Sequence, residues 1–305
     1  MKICTEMIEK DIWIKIPISK KNPLRDVGIF LCYNVPMKTF LKWAGNKTSV
    51  VDKIAPYLIG ETLIEPFSGS CAVSLNSSFK NYICNDINAD LINMYHLVQN
   101  NAEDYIEKVK TLFKNGNNRE RYNELRTLYN TTLDKDLKSE IFLYLNKHCF
   151  NGLCRYNKKG EFNTPFGSYS SPYFPEKELL EFHNYTKNNF EFLSIDFSEI
   201  FLRADENSVI YCDPPYSKLT DTADFSNYAK DGFNHKNHLQ LRDLAIKYSN
   251  DMGCTVIISN HDTSETRDLY KDANEIISFN VKRTISSKAS TRTKAAELLA
   301  IYKVK

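Results

Sequence analysis

Residues 208–216 read Ser-Val-Ile-Tyr-Cys-Asp-Pro-Pro-Tyr, and this stretch decides the fold class. A short apolar run such as 209–212 is typical of a strand that is buried on both faces, as the strands of parallel sheets are. The acid and two prolines that follow end the strand, because proline has a fixed φ and no N–H. Ligand crevices of open α/β sheets lie at the carboxyl ends of the strands, so we expect Asp213 to lie in one.

The motif Asp213-Pro214-Pro215-Tyr216 carries groups that can activate an amino group on a planar heterocycle. Such a nitrogen is a poor nucleophile, because its lone pair is delocalised into the ring. The Asp213 carboxylate and the Pro214 carbonyl can each accept one N–H and direct the lone pair at an electrophile, while Tyr216 can stack on the ring. A proline turn capped by an acid is the alternative interpretation, and the buried strand before the motif argues against it.

Strand and helix patterns alternate on both sides of this stretch. Strand patterns lie at 62–65, 82–86, 190–195, 209–212, 255–259 and 298–302, and helical spacing at 49–58, 71–77, 91–148 and 236–248. The alternation predicts a doubly wound α/β fold with a mostly parallel sheet. Residues 91–184 are predicted to be an inserted, mainly helical lobe between the two parts of a catalytic domain, 37–90 and 185–305. Residues 1–36 form an extension of unknown role.

The composition indicates an ordinary soluble globular protein. The chain has 305 residues, of which 42% are hydrophobic and 26% charged, and its formal net charge is only +2. No run of 18 apolar residues exists, and charges interrupt the N-terminal segment where a secretory signal would be apolar. The eight cysteines show no C-x-x-C pair, so we expect buried, reduced thiols, no metal site and a cytoplasmic protein.

Residues 64–70, Ile-Glu-Pro-Phe-Ser-Gly-Ser, form a second candidate site. A short strand runs into Glu65 and then into a tight turn at Gly69, which allows a nucleoside cofactor to approach the backbone closely. Glu65 can bind a cationic amine or a ribose. Asp86 ends the next strand, the position from which an acid reaches ribose hydroxyls in nucleotide-binding units. An ordinary strand–helix turn explains the glycine equally well.

Residues 42–47, Lys-Trp-Ala-Gly-Asn-Lys, form a third candidate site. Lysines on either side of Trp43 can clamp a carboxylate or a phosphate, and the indole can supply an apolar wall. A buried tryptophan between solvated lysines is the alternative interpretation. The segment precedes a helical pattern, so a ligand there would lie near the start of a helix.

Together these motifs resemble the Dam-type DNA adenine-N6 methyltransferases, in the order in which that family carries them. K-W-A-G-N-K is similar to the family's N-terminal cofactor motif, E-P-F-S-G-S to its glycine motif and D-P-P-Y to its catalytic motif. Residues 150–157 and 160–167 are similar to its target-recognition signature, and residues 283–287 and 296–302 to its C-terminal strands. The resemblance extends from Met37 to the C-terminus.

The resemblance implies a methyltransferase fold, S-adenosylmethionine as methyl donor, duplex DNA as substrate and GATC as target sequence. It implies catalysis by Asp213, Pro214 and Tyr216. The resemblance and the motifs together assign eight residues to cofactor binding, namely Trp43, Lys47, Glu65, Phe67, Gly69, Asp86, Asp196 and Asp213. Those assigned to DNA are Lys42, Phe150, Asn151, Leu153, Arg155, Asn157, Pro165 and Tyr169.

This sequence departs from the family pattern at three positions. Asn46 replaces a second glycine, which is expected to stiffen the first motif. Cys71 replaces the last glycine of the turn motif and adds a side chain where a helix approaches the cofactor. Ser168 stands where relatives often carry a basic residue, so one contact to DNA is expected to be missing.

Clusters of basic residues agree with DNA binding. Residues 147–159 hold Lys147, Arg155, Lys158 and Lys159 without an acid, and a second group spans 282–305. Such groups neutralise phosphates, although a solvated positive face is the alternative. Two other classes stay open, namely an RNA or protein-amide methyltransferase and a catalytically inactive DNA-binding relative. We expect a monomer in a bacterial or phage-infected cell, with or without a partner restriction endonuclease.

Overall fold

The computed structural model describes residues 36–216, 233–282 and 294–304. The extension at 1–35 and the signature at 283–287 therefore lie outside the described residues. Within the described residues, seven strands form one sheet in the order β3-β2-β1-β4-β5-β7-β6. They are β1 (Thr62–Glu65), β2 (Asn81–Asn85), β3 (Phe190–Leu193), β4 (Ser208–Cys212), β5 (Thr255–His261), β6 (Glu275–Lys282) and β7 (Lys294–Tyr302).

Strands β1 to β5 pair in parallel, and β7 is antiparallel to both of its neighbours. The doubly wound, mostly parallel sheet is thus confirmed. Strand order reverses between β1 and β4, and this switch point is where an open α/β sheet leaves a crevice at its carboxyl edge. Glu65 ends β1 and Asp213 follows β4 at that edge.

Helices cover both faces of the sheet. They are α1 (Val51–Ile54), α2 (Ala89–Asn100), α3 (Ala102–Phe113), α4 (Arg119–Thr131), α5 (Lys135–His148), α6 (Glu176–Thr186), α7 (Phe197–Ile200), α8 (His235–Met252) and α9 (Ser264–Leu269). Asparagine or aspartate side chains accept from the first free N–H groups of α2, α3, α4, α5 and α8. Such caps explain where these helices begin.

The continuous apolar run of β4 reflects its position at the centre of the sheet. Val209 and Tyr211 face a core shared with α2 to α6, whereas Ile210 and Cys212 face a second core shared with α7 and α8. Successive side chains of a strand point to opposite faces, so a strand covered on both sides has no polar alternation.

One predicted helix is wrong. Residues 71–77 were expected to be helical, but they form a turn followed by a 3-10 helix, Ser74–Asn76. Both Gly69 and Cys71 have positive φ, +46° and +57°, which interrupts any helix from this turn. Strand β6 also has no counterpart among the predicted strands. No helix in the described parts of the chain is long and apolar enough to cross a membrane.

The predicted lobe at 91–184 contains α3, α4 and α5, followed by an irregular segment up to α6. Helices α2 and α6, at the two ends of this range, also pack on the sheet. Tyr95 of α2 and Phe182 of α6 stack on one another at 5.1 Å, and both contact Phe192 of β3. The boundaries of an inserted lobe stay a prediction.

Candidate active site

Asp213 and Lys47 form a largely buried ion pair at the carboxyl edge of the sheet. Lys47 Nζ lies 2.8 Å from Asp213 Oδ2, and the two side chains are only 8% and 19% exposed. Lys47 also donates to the carbonyl of Gly45 at 2.9 Å. The first and third candidate motifs, far apart in sequence, therefore meet at one carboxylate.

The other oxygen of Asp213 is bound by a residue that the sequence did not single out. Ser259 Oγ, on β5, donates to Asp213 Oδ1 at 2.8 Å, and it is also 2.8 Å from the hydroxyl of Tyr216. Tyr216 in turn donates to Glu297 Oε2 of β7 at 3.2 Å. Ser259 directly follows the apolar run 256–258 of β5, and Glu297 directly precedes the apolar run 298–301 of β7, which is the only sign of them in the sequence.

Glu65 is directed into the protein rather than into open solvent. It is 3% exposed, and its Oε1 accepts hydrogen bonds from the backbone N–H of Ser74, at 2.8 Å, and from the Ser74 hydroxyl. Burial raises the pKa of Glu65 to about 7, and the charge of Asp213 acts in the same direction. Both hydrogen bonds fasten the segment after β1 to the end of that strand.

Asp86 closes the turn that follows β1. Its Oδ2 accepts from the N–H of Gly69 at 3.1 Å and its Oδ1 from the N–H of Asn88 at 2.9 Å. Burial raises the pKa of Asp86 to about 6, against the effect of these two hydrogen bonds. Each oxygen thus has one backbone donor, and an oxygen of a carboxylate can accept a second hydrogen bond.

The Gly69 turn lies directly against Trp43. Gly69 has φ +46°, and a Cβ atom there would come within 2.5 Å of Trp43 Nε1. Tyr95 donates to the Gly69 carbonyl at 2.5 Å, which holds the turn from the other side. A glycine is therefore required for two reasons, its backbone conformation and the proximity of the indole.

Asn46 and Cys71, at which the sequence departs from the family pattern, differ in what the structure shows of them. Asn46 donates to Thr39 Oγ1 at 2.9 Å and to Ser70 Oγ at 3.0 Å, so it ties the 42–47 segment to the glycine turn. Cys71 keeps the left-handed φ that glycine would adopt more easily, and its side chain is fully buried. The stiffening expected at Asn46 stays a prediction, and these two hydrogen bonds are the contacts through which it would act.

Three phenylalanines pack together beside this turn. The ring centroids of Phe67, Phe197 and Phe233 are each 5.4 Å from the other two. Phe197 and Phe233 were not predicted as site residues. Asp196, which was, is an exposed N-cap that accepts from the N–H of Ser198 at 2.9 Å. Its neighbour Phe197, rather than Asp196 itself, faces the cluster.

The predicted recognition segment, 150–167, is an irregular loop that is exposed in part, and antiparallel bridges join Cys149 to Phe166 and Tyr156 to Phe162. Phe150 is 49% exposed, and Asn151 and Gly152 both have positive φ. Arg155 donates from Nε to Asn163 Oδ1 at 2.8 Å and from its guanidinium to the Asn163 carbonyl at 3.1 Å. The exposed guanidinium is therefore already oriented.

The remaining recognition candidates differ in how accessible they are. Pro165 is exposed and Leu153 is half-buried. Asn157 is committed to its own turn, because its side chain donates to Glu161 Oε2 at 2.7 Å and accepts from the N–H groups of Lys159 and Glu161.

Lys42 and Tyr169 lie together, with Lys42 Nζ 3.8 Å above the centre of the tyrosine ring. Lys147 was expected to belong to a basic surface, and this is wrong. It is 5% exposed, and burial together with the charge of Lys42 lowers its pKa to about 8. Most of the second basic group, at 282–305, lies outside the described residues.

Comparison with known proteins identifies the family to which the chain is similar. Residues 43–285 match the family model of the D12 class N6 adenine-specific DNA methyltransferases. The chain is 46% identical over 267 residues to a DNA adenine methylase of Vibrio cholerae, with 87% of this chain and 96% of the relative covered. It is 43% identical to the DNA adenine methylases of Serratia marcescens and Escherichia coli, with 87% of this chain and 98% and 95% of those relatives covered.

Proposed function

Since the chain belongs to the D12 class of N6 adenine-specific DNA methyltransferases, we propose that it takes its methyl group from S-adenosylmethionine and acts on a flipped adenine within GATC. The observation that carries the proposal is the 2.8 Å ion pair between Asp213 and Lys47. It joins the catalytic candidate after β4 to the cofactor candidate in the 42–47 segment, beside the switch point of the sheet.

The residues around Gly69 suit a nucleoside cofactor. The Gly69 backbone is in close contact with Trp43, and Asp86 keeps acceptor capacity on both oxygens for ribose hydroxyls. Phe67, with Phe197 and Phe233 packed around it, offers an apolar wall for a purine. When bound there, S-adenosylmethionine supplies an electrophilic methyl group on a positively charged sulfur.

Asp213 and Pro214 would activate the adenine amino group. The carboxylate and the Pro214 carbonyl each accept one N–H, so the nitrogen lone pair is turned out of the ring plane. Asp213 already accepts from Lys47 and Ser259, but a carboxylate has about four acceptor sites, which leaves room for the amino group. Its negative charge stabilises the positive nitrogen that develops during transfer.

The DNA partner would be held by the segment from Phe150 to Tyr169. Flipping a base costs a few kcal/mol, and stacking on Tyr216 offsets part of that cost. Arg155 can donate two hydrogen bonds to one guanine, and Lys42 can reach the guanine beside the target adenine. Leu153 and Pro165 offer apolar contacts to a thymine methyl group. These proposed contacts to guanine and thymine, together with the family resemblance of the segment, support GATC as the target sequence.

Methyl transfer from labelled S-adenosylmethionine tests the proposal. Duplexes that contain GATC, duplexes in which its central A-T step is replaced, and an RNA duplex of matching sequence would be compared. We expect label only in the adenine of GATC. Transfer to RNA, or equal transfer to both DNA duplexes, would contradict the substrate or the target sequence.

A matched pair of variants tests the catalytic carboxylate. Asp213→Ala should abolish transfer while the folded protein still binds duplex DNA, because an acceptor of the amine is lost. Asp52→Asn changes an exposed carboxylate and should leave turnover unchanged. Near-normal turnover of Asp213→Ala would exclude the proposed activation.

A further inference from the structure

We propose that Ser259 and Glu297 are positioning residues that hold Tyr216 and Asp213 in one fixed arrangement. This inference rests on the proposed function, since it concerns the base-stacking tyrosine and the amine-binding carboxylate. Neither positioning residue needs to touch the base, the DNA or the cofactor. Their role would be to orient the two that do.

The sheet brings these four residues side by side. Cys212 of β4 pairs with Ile258 of β5, so the next residues, Asp213 and Ser259, are neighbours at the carboxyl edge. Strand β7 pairs with the other side of β5 and places Glu297 opposite His261. Tyr216 follows Asp213 after the two prolines and turns back over this edge, where its hydroxyl reaches both β5 and β7.

The hydrogen atoms available determine how the network works. Ser259 has one hydroxyl hydrogen and donates it to Asp213 Oδ1 at 2.8 Å. It can then only accept from Tyr216, whose hydroxyl lies 2.8 Å from Ser259 Oγ and 3.2 Å from Glu297 Oε2. Tyr216 therefore shares its single hydrogen between these two acceptors. The donor and acceptor of each hydrogen bond in the series Glu297, Tyr216, Ser259 and Asp213 therefore follow from those of its neighbour.

The environment makes the network rigid. Ser259 is fully buried, so bulk water cannot replace the partners of its hydroxyl, and loss of a bond would leave a buried polar group unsatisfied. The rings of Tyr216 and His261 are also nearly perpendicular, at 80°, with their centroids 4.6 Å apart, and Lys47 Nζ lies over the Tyr216 ring, 4.8 Å from its centre. A ring held at its hydroxyl and contacted by His261 and Lys47 has a fixed orientation, and such preorganisation lowers the cost of binding a flipped base.

The hydroxyl and the ring of Tyr216 have separate roles, which substitutions can distinguish. Tyr216→Phe keeps the stacking surface and removes the bonds to Ser259 and Glu297. Ser259→Ala removes the bonds to Asp213 and Tyr216. We expect each variant to lower kcat about tenfold with little change in the KM for S-adenosylmethionine. Each should also weaken the fluorescence gain of 2-aminopurine at the target position, which reports base flipping.

A double-variant comparison gives the decisive result. If both residues act through one network, Ser259→Ala with Tyr216→Phe should reduce kcat about as much as either change alone. Effects that multiply to about a hundredfold would show independent roles and overturn the inference. Glu297→Gln keeps an acceptor oxygen and should be milder than Glu297→Ala, and equal losses would also overturn it.

Controls keep the outcome interpretable. Ser249→Ala removes another buried serine hydroxyl, one that donates to the helix carbonyl of Ile246 at 3.0 Å, and should leave kcat unchanged. Thermal unfolding checks that each variant is folded. If wild-type protein methylates GATC and Asp213→Ala does not, but Tyr216→Phe is fully active, the positioning role fails while the proposed function stands. If wild-type protein transfers no methyl group to DNA, the proposed function itself fails.

Discussion

The side-chain amide of Asn146 binds both sides of the backbone of Lys42. Asn146 Oδ1 accepts from the Lys42 N–H at 3.0 Å, and its Nδ2 donates to the Lys42 carbonyl at 2.7 Å. The same Nδ2 is 3.3 Å from the carbonyl of Gly152. One fully buried amide thus joins the residue before Trp43 to the turn that carries Phe150 and Asn151.

Asn146→Ala should therefore weaken both DNA discrimination and cofactor affinity. The substitution removes the side-chain bonds to the N–H and the carbonyl of the half-buried Lys42, and each lost bond costs about 0.5–1.5 kcal/mol. We expect discrimination at the guanine beside the target adenine to fall about tenfold, and the KM for S-adenosylmethionine to rise.

Asn93→Ala is the matched control. Asn93 is another interhelical amide, which donates to Ser139 Oγ at 2.8 Å and to the Lys135 carbonyl at 3.1 Å, but it contacts neither segment of the candidate site. Equal effects of the two changes on discrimination would mean that the Asn146 contacts matter only for general stability.

Gly69→Ala should impair cofactor binding. A methyl group would lie within 2.5 Å of Trp43 Nε1, so the indole or the turn must move. We expect at least a tenfold rise in the dissociation constant for S-adenosylmethionine, measured by calorimetry. Gly160→Ala adds the same methyl group at a similarly positive φ, +79°, with nothing within 4 Å, and should leave that constant unchanged. A normal constant in Gly69→Ala would place the cofactor elsewhere.

Glu65→Gln should change how stability depends on pH. The pKa of Glu65 is raised from 4.5 to about 7, so the folded protein binds a proton more tightly than the unfolded chain. Stability from this group is fully present below pH 4.5 and is lost as pH rises through about 7, by roughly 3 kcal/mol. Glutamine keeps an acceptor for Ser74 and has no such proton.

Urea unfolding at pH 5 and pH 8 measures this difference. The free energy of unfolding of Glu65→Gln, relative to that of the unchanged protein, should increase between the two pH values. The same relative free energy at both would show that Glu65 titrates near its ordinary pKa. Asp86 contributes a smaller effect of the same sign to both proteins and cancels in the comparison.

Arg155→Ala should relax specificity at one outer base pair of the site by about tenfold, because one bidentate contact contributes about 1–3 kcal/mol. Asn163→Ala should have a weaker effect in the same direction, since it removes the side-chain acceptor of Arg155 Nε but keeps the backbone carbonyl that accepts from the guanidinium. Modified bases would be sequenced in a host that lacks adenine methylation.

Lys158→Ala provides the contrast for Arg155. It removes an exposed charge from the same loop and should weaken binding to all sequences about equally, with a salt dependence reduced by about one unit of slope. If Arg155→Ala behaved in this way too, Arg155 would contact phosphate rather than a base.

The sequence alone determined the fold class and the residues at which β1 and β4 end. The run at 208–212 could be interpreted because a strand covered on both faces must be apolar throughout, and β4 is so covered. Strand β1 begins and ends where it was predicted, at Thr62–Glu65. The acids at the ends of these strands could be predicted as site residues because each interrupts an apolar run.

Only the tertiary structure decided which of these groups meet. Lys47 pairs with Asp213, and Ser259 and Glu297 contact Tyr216. The order of the strands makes these contacts possible, because β1, β4, β5 and β7 are consecutive neighbours in the sheet. A polar residue beside an apolar run gives no indication of its partner. Lys147 likewise looks solvated in the sequence, yet helix α5 turns it inward. Such contacts depend on strand order and helix orientation, which no local pattern of residues encodes.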